Sequence, residues 1–103
     1  MTYNNQKIVK RIAELEGIRI HNPLDYQAWL DGETQHYDPI NNAGQAMELL
    51  EKDGGCLQIK GDYTHAIIAG TRVYDNDWKS AICLAYLASM GQDLTQFEES
   101  PND

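Results

Sequence analysis

Residues 78–90 are the segment that most constrains the fold of this chain. Their side chains are apolar on nearly every helical face, and Gly91 follows, as is common after the last turn of a helix. Asp75, Asn76 or Asp77 offers an N-cap at the start. A helix that is apolar all round must be covered on more than one side. We therefore expect it to pack on a sheet and also against another helix or a second subunit, which leaves a homodimer open.

Two further segments have helical periodicity. Residues 5–16 and residues 42–53 each place apolar side chains at the three- and four-residue spacing of one helix face. Glycine follows both segments, and Asn41 or Asn42 can cap the start of the second. The two apolar faces comprise Ile8, Ile12 and Leu15 in the first segment and Ala43, Ala46, Met47 and Leu50 in the second. Both segments are predicted helices.

Residues 56–69 have the pattern of an antiparallel hairpin. Residues 56–60 alternate between apolar and polar side chains, which is the period of a strand. Gly61 and Asp62 are suited to a turn, and residues 63–69 then provide the returning strand.

Residues 26–37 allow two interpretations. Residues 26–30 and 33–37 flank Asp31 and Gly32, a dipeptide suited to a two-residue hairpin turn. The alternative is an irregular loop restricted by Pro23 and Pro39 and held in place by Trp29. The sequence does not separate a hairpin from a loop here.

Together these elements predict an α+β fold. A small, mainly antiparallel sheet packs with three helices, in the order α-β(hairpin)-α-β-β-α. A chain of 103 residues is the size of one domain, so we expect a single globular domain over residues 1–92 and an acidic tail over residues 93–103. The predicted core comprises Ile12, Leu50, Ile59, Ile67, Ile82 and Ala85, with Leu57 and Val73 also in the sheet.

Charge and hydropathy disfavour two classes of partner. Sixteen acidic against eight basic residues give a net charge of −8, which disfavours direct binding to a nucleic acid backbone. No apolar run is long enough to cross a bilayer and the start lacks a signal peptide pattern, so we expect no membrane association and a cytoplasmic location. The charge is uneven, because Lys7, Lys10 and Arg11 cluster while residues 25–53 carry seven acids and only Lys52.

No spaced set of residues indicates catalysis, a metal or a cofactor. Cys56 and Cys83 lie far apart in apolar segments, which is typical of reduced cysteines in the core. His21, His36 and His65 are isolated from one another and from the cysteines. Glycine-rich phosphate loops and nucleophile motifs are also absent from the sequence. The chain is therefore predicted to be no enzyme and to bind no cofactor or metal.

Residues 37–47 read Tyr-Asp-Pro-Ile-Asn-Asn-Ala-Gly-Gln-Ala-Met, which resembles the aromatic-x-Pro-x-Asn-Asn-x-x-x-Ala stretch of NinX-like phage proteins, grouped with the phage ABA sandwich domains. The following helix and strand and the closing Ala-rich helix are also similar to that family, so the resemblance covers most of the chain. The resemblance implies an ABA sandwich-like fold, in which a small sheet lies between helical layers. It also implies a phage or prophage accessory protein in the bacterial host cytoplasm, and it implies no reaction. Residues 25–37 depart from the family pattern.

That departing stretch, extended to Asp38, is the predicted partner-binding surface. Aromatic side chains alternate with acids there, which suits a protein partner with a basic surface. We expect a non-catalytic interaction module, for example an inhibitor of a host nucleic-acid-handling or defence complex. The predicted contact residues are Asp25, Tyr26, Trp29, Asp31, Glu33, Tyr37 and Asp38.

Two other interpretations of this segment stay open. The tyrosine, histidine and aspartate side chains of the central segment are also the kind from which a small enzyme or a ligand-binding protein builds a site. In the simplest alternative, the acidic residues only keep the protein dispersed and Trp29 belongs to the core.

Overall fold

The computed structural model describes residues 3–22, 25–30, 32–52, 54–60 and 62–98. The chain divides into two compact units, the first formed by the described residues up to Asp38 with those from Leu94 onward, the second by Pro39–Asp93. The prediction of an α+β fold with three helices is confirmed, but the element order is α-β-β-β-α-β-β-β-α. Two antiparallel three-stranded sheets replace the single predicted sheet, because each strand pairs with its neighbour in sequence.

The first unit contains a helix and a small sheet. Helix α1 is Asn5–Leu15, and the Asn4 side chain caps it by accepting a hydrogen bond from the Lys7 backbone at 3.1 Å. Strands β1 (Arg19–Asn22), β2 (Gln27–Leu30) and β3 (Glu33–His36) pair in the order β1-β2-β3. The hairpin interpretation of residues 26–37 is therefore the one the structure supports. The buried apolar residues of this unit include Ile8, Val9, Ile12, Ala13, Ala28 and Phe97.

The described residues of the predicted C-terminal tail are folded. Leu94–Phe97 form a 3₁₀ helix, and the side chain of Phe97 is buried. The Asn4 N–H donates to the Phe97 carbonyl at 2.7 Å, and Tyr3 forms an antiparallel bridge with Glu98. Residues 94–98 thus belong to the first unit, and residues 99–103 lie outside the described part of the chain.

The second unit is built around the third helix. It comprises α2 (Ala43–Lys52), β4 (Cys56–Lys60), β5 (Tyr63–Ile68), β6 (Thr71–Asp75) and α3 (Trp78–Ser89). Helix α3 packs on β5, β6 and α2, which confirms that it needs cover from a sheet and a second helix. This cover comes from within the chain, and a homodimer stays a prediction. The consecutive buried residues of α3 are Ala81, Ile82, Cys83, Leu84, Ala85, Tyr86 and Leu87.

The predicted core is wrong in the second sheet. Ile12, Leu50, Ile82 and Ala85 are buried as expected, but the side chain of Ile59 is 71% exposed. Ile59 lies opposite Thr64, on the sheet face that carries the buried Ala66 and Ile68. Its strand β4 is at the edge of the sheet, whereas the main contacts of α3 are with β5 and β6. Ile59 is therefore on the core side of the sheet, but the helix layer does not extend over this position.

Ile67 was also predicted to be buried, but it is half-buried, and its pairing with Cys56 places it on the other face of the sheet from Ile59. Leu57 and Val73, which were predicted to lie in the sheet, are half-buried. Of the two cysteines predicted to be core residues, Cys83 is buried and Cys56 is exposed.

Among the described glycines of the second unit, Gly55 has the tightest packing. A Cβ atom there would lie 2.7 Å from Leu50 Cδ1 and 2.8 Å from the Ile67 carbonyl oxygen. Because that oxygen belongs to the backbone of β5, Gly55→Ala should lower the free energy of unfolding by about 1–3 kcal/mol in urea denaturation. Gly44→Ala is the control, since its Cβ would meet only Asn42 Oδ1 at 3.4 Å. Equal stability of both variants would contradict this packing.

Candidate functional site

Strand pairing in the first sheet places one aromatic side chain at the centre of a sheet face. Trp29 lies opposite Arg19 on β1 and Thr34 on β3. Directly opposite residues in antiparallel strands point to the same side, as do residues two apart in one strand. The ring of His21 meets that of Trp29 edge to face, with the centroids 5.9 Å apart. We call this surface the Trp29 face, and its members are Arg19, His21, Gln27, Trp29, Thr34 and His36.

The Trp29 face is the solvent side of the first sheet. The side chain of Trp29 is 42% exposed, so it is not a core residue. Its neighbours on this face are also exposed, apart from Gln27, which is half-buried. The opposite face carries the buried Ala28 with the half-buried Ile20 and Leu30. One side of the sheet therefore contributes to the core of its unit and the other remains accessible.

Two aromatic contacts orient the rings on and beside this face. The His21 and Trp29 rings are inclined at 79°, and the Tyr26 and His36 rings at 63° with their centroids 6.0 Å apart. Edge-to-face contacts are a favoured geometry for aromatic pairs. These contacts restrict the ring orientations of Trp29 and His36 in the folded chain. A side chain that is already restricted loses less conformational entropy on binding.

The predicted acids are not interleaved with Trp29. Glu33 lies opposite Leu30, so the register places it on the other side of the sheet from Trp29. Asp25 precedes β2 at the far end of the hairpin and accepts a hydrogen bond from Asn22 Nδ2 at 2.9 Å. Both are exposed, whereas Asp31 lies outside the described residues. The charged and titratable side chains on the Trp29 face itself are Arg19, His21 and His36.

Two of the predicted contact residues are buried. The exposed fractions of the Tyr37 and Asp38 side chains are 5% and 3%. The Tyr37 N–H donates to the Tyr26 carbonyl at 2.7 Å, which ties the end of β3 to the start of β2. A partner that docks on the folded chain therefore has little access to Tyr37 or Asp38. Tyr26 is half-buried, and the predicted role of Trp29, Asp25 and Glu33 stays a prediction.

Tyr26 is a hydrogen-bonding group rather than a base in this setting. Its backbone has a φ of 54°, the left-handed region that few non-glycine residues adopt. Burial, and next the charge of Asp38, raises the pKa of the Tyr26 phenol above its ordinary value. The phenol therefore stays protonated at neutral pH, which suits hydrogen bonding and disfavours a phenolate that abstracts protons.

The described residues contain neither a metal-binding cluster nor a membrane-spanning helix. Those residues contain no group of three or more histidine, cysteine or acidic side chains placed to hold a metal ion. Within the same ranges, every helix is too short or too polar to cross a membrane.

Sequence reasoning missed most of the Trp29 face, although the signal was present. The dipeptide Asp31-Gly32 suits a two-residue turn, and such a turn predicts the pairing of Leu30 with Glu33. The structure has that pair, and every other β2–β3 pair follows from it. Trp29 then faces Thr34, and Glu33 turns away from it. Residues that are close in sequence do not all share one face of a strand, because successive side chains point to opposite faces.

Comparison with known proteins provides no relative for this chain. No family model, curated protein or solved structure matches it. The resemblance of residues 37–47 to NinX-like phage proteins, and the phage origin it implies, therefore stay predictions.

Proposed function

We propose that this chain is a non-catalytic protein-binding module that docks on its partner through the Trp29 face. The observation that carries the proposal is Trp29 itself, a large aromatic side chain that is 42% exposed at the middle of a paired sheet. Tryptophan is among the residues that most often dominate the energy of protein interfaces. The host-directed accessory role implied by the sequence is part of the same proposal.

The rigidity of the hairpin supports Trp29 as an anchor. Trp29 lies on the central strand, so its backbone is paired on both sides, with Arg19 and with Thr34. Two flanking strands and the His21 ring restrict the side chain before binding. An anchor held in this way loses little conformational freedom when it enters a pocket on the partner.

The distribution of charge indicates the chemistry of the partner. The net charge of −8 attracts a basic surface at long range, and the exposed Asp25 and Glu33 lie at opposite ends of the hairpin. Arg19 lies beside Trp29, so the partner should present a hydrogen-bond acceptor at the centre of the contact. A groove that binds nucleic acid phosphates has such a basic rim. Inhibition of a host nucleic-acid-handling or defence complex is the specific role that we propose.

Removal of the two end charges should slow association with the partner. Affinity capture from a bacterial lysate identifies the partner, and stopped-flow mixing then measures the association rate. Asp25→Asn combined with Glu33→Gln should lower that rate about threefold to tenfold at low salt and weaken its salt dependence. Both changes preserve shape, and both side chains are exposed, so the melting temperature should not change.

The matched control removes two charges elsewhere. Glu48 and Glu51 are exposed on α2, and their combined change to glutamine alters the net charge by the same amount. If the effect is local to the hairpin, the control variant associates at close to the wild-type rate. Equal slowing of both variants would show that only the net charge matters, and would contradict steering by Asp25 and Glu33.

A further inference from the structure

The second sheet ends in a strand whose outer edge has the features of a pairing surface. Strand β4 pairs with β5 through five successive positions without a register shift. On its other side, no strand of the described residues pairs with it. An edge strand presents unpaired backbone N–H and C=O groups, which are a template for a further strand. This edge is remote in sequence from the Trp29 face, and the inference drawn from it does not rest on the proposed function.

Apart from one lysine at its end, strand β4 lacks the usual protection of such edges. Natural edge strands are commonly protected from pairing by proline, by a bulge or by charged residues, especially lysine. The sequence of β4 is Cys-Leu-Gln-Ile-Lys, with no proline, no acidic residue and one lysine. Its ladder with β5 has no bulge, and Ile59 exposes 71% of its side chain. A large aliphatic side chain on an unprotected edge favours cover by another strand.

We propose that β4 pairs antiparallel with β4 of a second copy of this chain. The two-fold axis passes midway between the two Gln58 residues, which lie opposite each other. In this register Leu57 of each copy lies opposite Ile59 of the other, and Cys56 lies opposite residue 60. The pattern is self-complementary because its two aliphatic residues are symmetric about the centre of the strand. Each Ile59 then gains an aliphatic neighbour on the face that carries Ala66 and Ile68.

The strand itself selects this register and this partner. With Gln58 at the axis, all five strand residues are paired; with the axis moved by one residue to Leu57 or Ile59, only three of the five are paired. An axis placed between two residues would pair positions whose side chains point to opposite faces. Two copies that each carry a charge of −8 repel each other at long range. Because β4 has no acidic residue, the strand pair itself adds no repulsion between carboxylates.

Cysteine crosslinking tests the register directly. In a Cys56→Ser background, Gln58→Cys places two thiols opposite each other, with their Cβ atoms about 5 Å apart. We expect this variant to form a disulfide dimer on oxidation. Arg72→Cys in the same background is the control, because Arg72 is exposed on the other edge strand, β6. Cys56 of the wild type lies opposite residue 60, so it should not crosslink under these conditions.

Sedimentation tests the association without a crosslink. One strand pair is a small contact, so we expect a dimer with a Kd between about 1 μM and 1 mM. Ile59→Lys should weaken dimerisation at least about tenfold, while Tyr74→Lys, a comparable change at a 56% exposed site on β6, should leave it intact. A wild-type monomer at about 1 mM would overturn the proposal, as would equal crosslinking of the Gln58 and Arg72 variants.

Discussion

Ile82→Ala should lower the free energy of unfolding by about 2–5 kcal/mol, a large effect on stability for a single truncation. Ile82 is fully buried in α3, within a run of seven buried residues. The loss has two contributions: the transfer free energy of the buried methyl and methylene groups that are removed, and the free-energy cost of the cavity that remains. Urea denaturation followed by circular dichroism measures the change.

Ile59→Thr is the matched control for this experiment. The same residue type is replaced, but Ile59 is 71% exposed and threonine retains the strand preference of a β-branched side chain. The free energy of unfolding should change by less than about 0.5 kcal/mol at low protein concentration. A loss at Ile59 as large as that at Ile82 would mean that β4 is covered, and would contradict the edge position of this strand.

Trp29→Ala should cause the largest loss of partner affinity. A tryptophan that is desolvated at the centre of an interface commonly contributes about 2–4 kcal/mol, which corresponds to a Kd about thirtyfold to a thousandfold higher. The loss should appear in the dissociation rate, because the side chain acts after the encounter. Surface plasmon resonance with the captured partner measures this rate.

The control for Trp29 is the exposed aromatic side chain of the second sheet. Tyr74 is 56% exposed and stacks on His65 with the ring centroids 4.0 Å apart, as Trp29 contacts His21. Tyr74→Ala should leave the dissociation rate unchanged. Faster dissociation of the Tyr74 variant, with Trp29→Ala unaffected, would place the binding surface on the second sheet.

The three helices were predictable because their signals are local. Capping side chains and following glycines fix helix ends within a few residues, and Asn42 and Asp77 both act as predicted by accepting hydrogen bonds from the backbone of Gln45 and Lys79. The cover of α3 was also predictable, since an apolar helix has no stable solvent-exposed face. Its actual partners, β5, β6 and α2, all precede it in the chain, and β6 ends only a few residues before it.

The arrangement of the strands was less predictable. Ala69 and Gly70 form the β5–β6 turn with φ angles of 49° and 81°, although alanine rarely adopts positive φ. The usual turn signal is therefore missing, and β6 was left out of the predicted element order. Ile59 shows a second limit: alternation identifies the faces of a strand, but it does not show how far a helix layer extends across them.

The candidate site was predicted in part for the same reason. The sequence identified Trp29 as a contact residue and left a hairpin or a loop open, and the structure exposes Trp29 on a hairpin. It did not reveal that Glu33 points away from Trp29 or that Tyr37 and Asp38 are buried. Pairing register and burial depend on contacts between segments, which a local pattern of aromatic and acidic residues does not contain.

Hydrogen–deuterium exchange of the chain, alone and with its captured partner, tests the central claim most directly, because it locates the bound surface without any substitution. Binding on the Trp29 face predicts slower exchange of backbone amides in β1, β2 and β3 and no change in α2, β4, β5, β6 and α3. Slower exchange confined to residues 39–93, with β1, β2 and β3 unchanged, would show that the partner binds elsewhere and would contradict the proposed function.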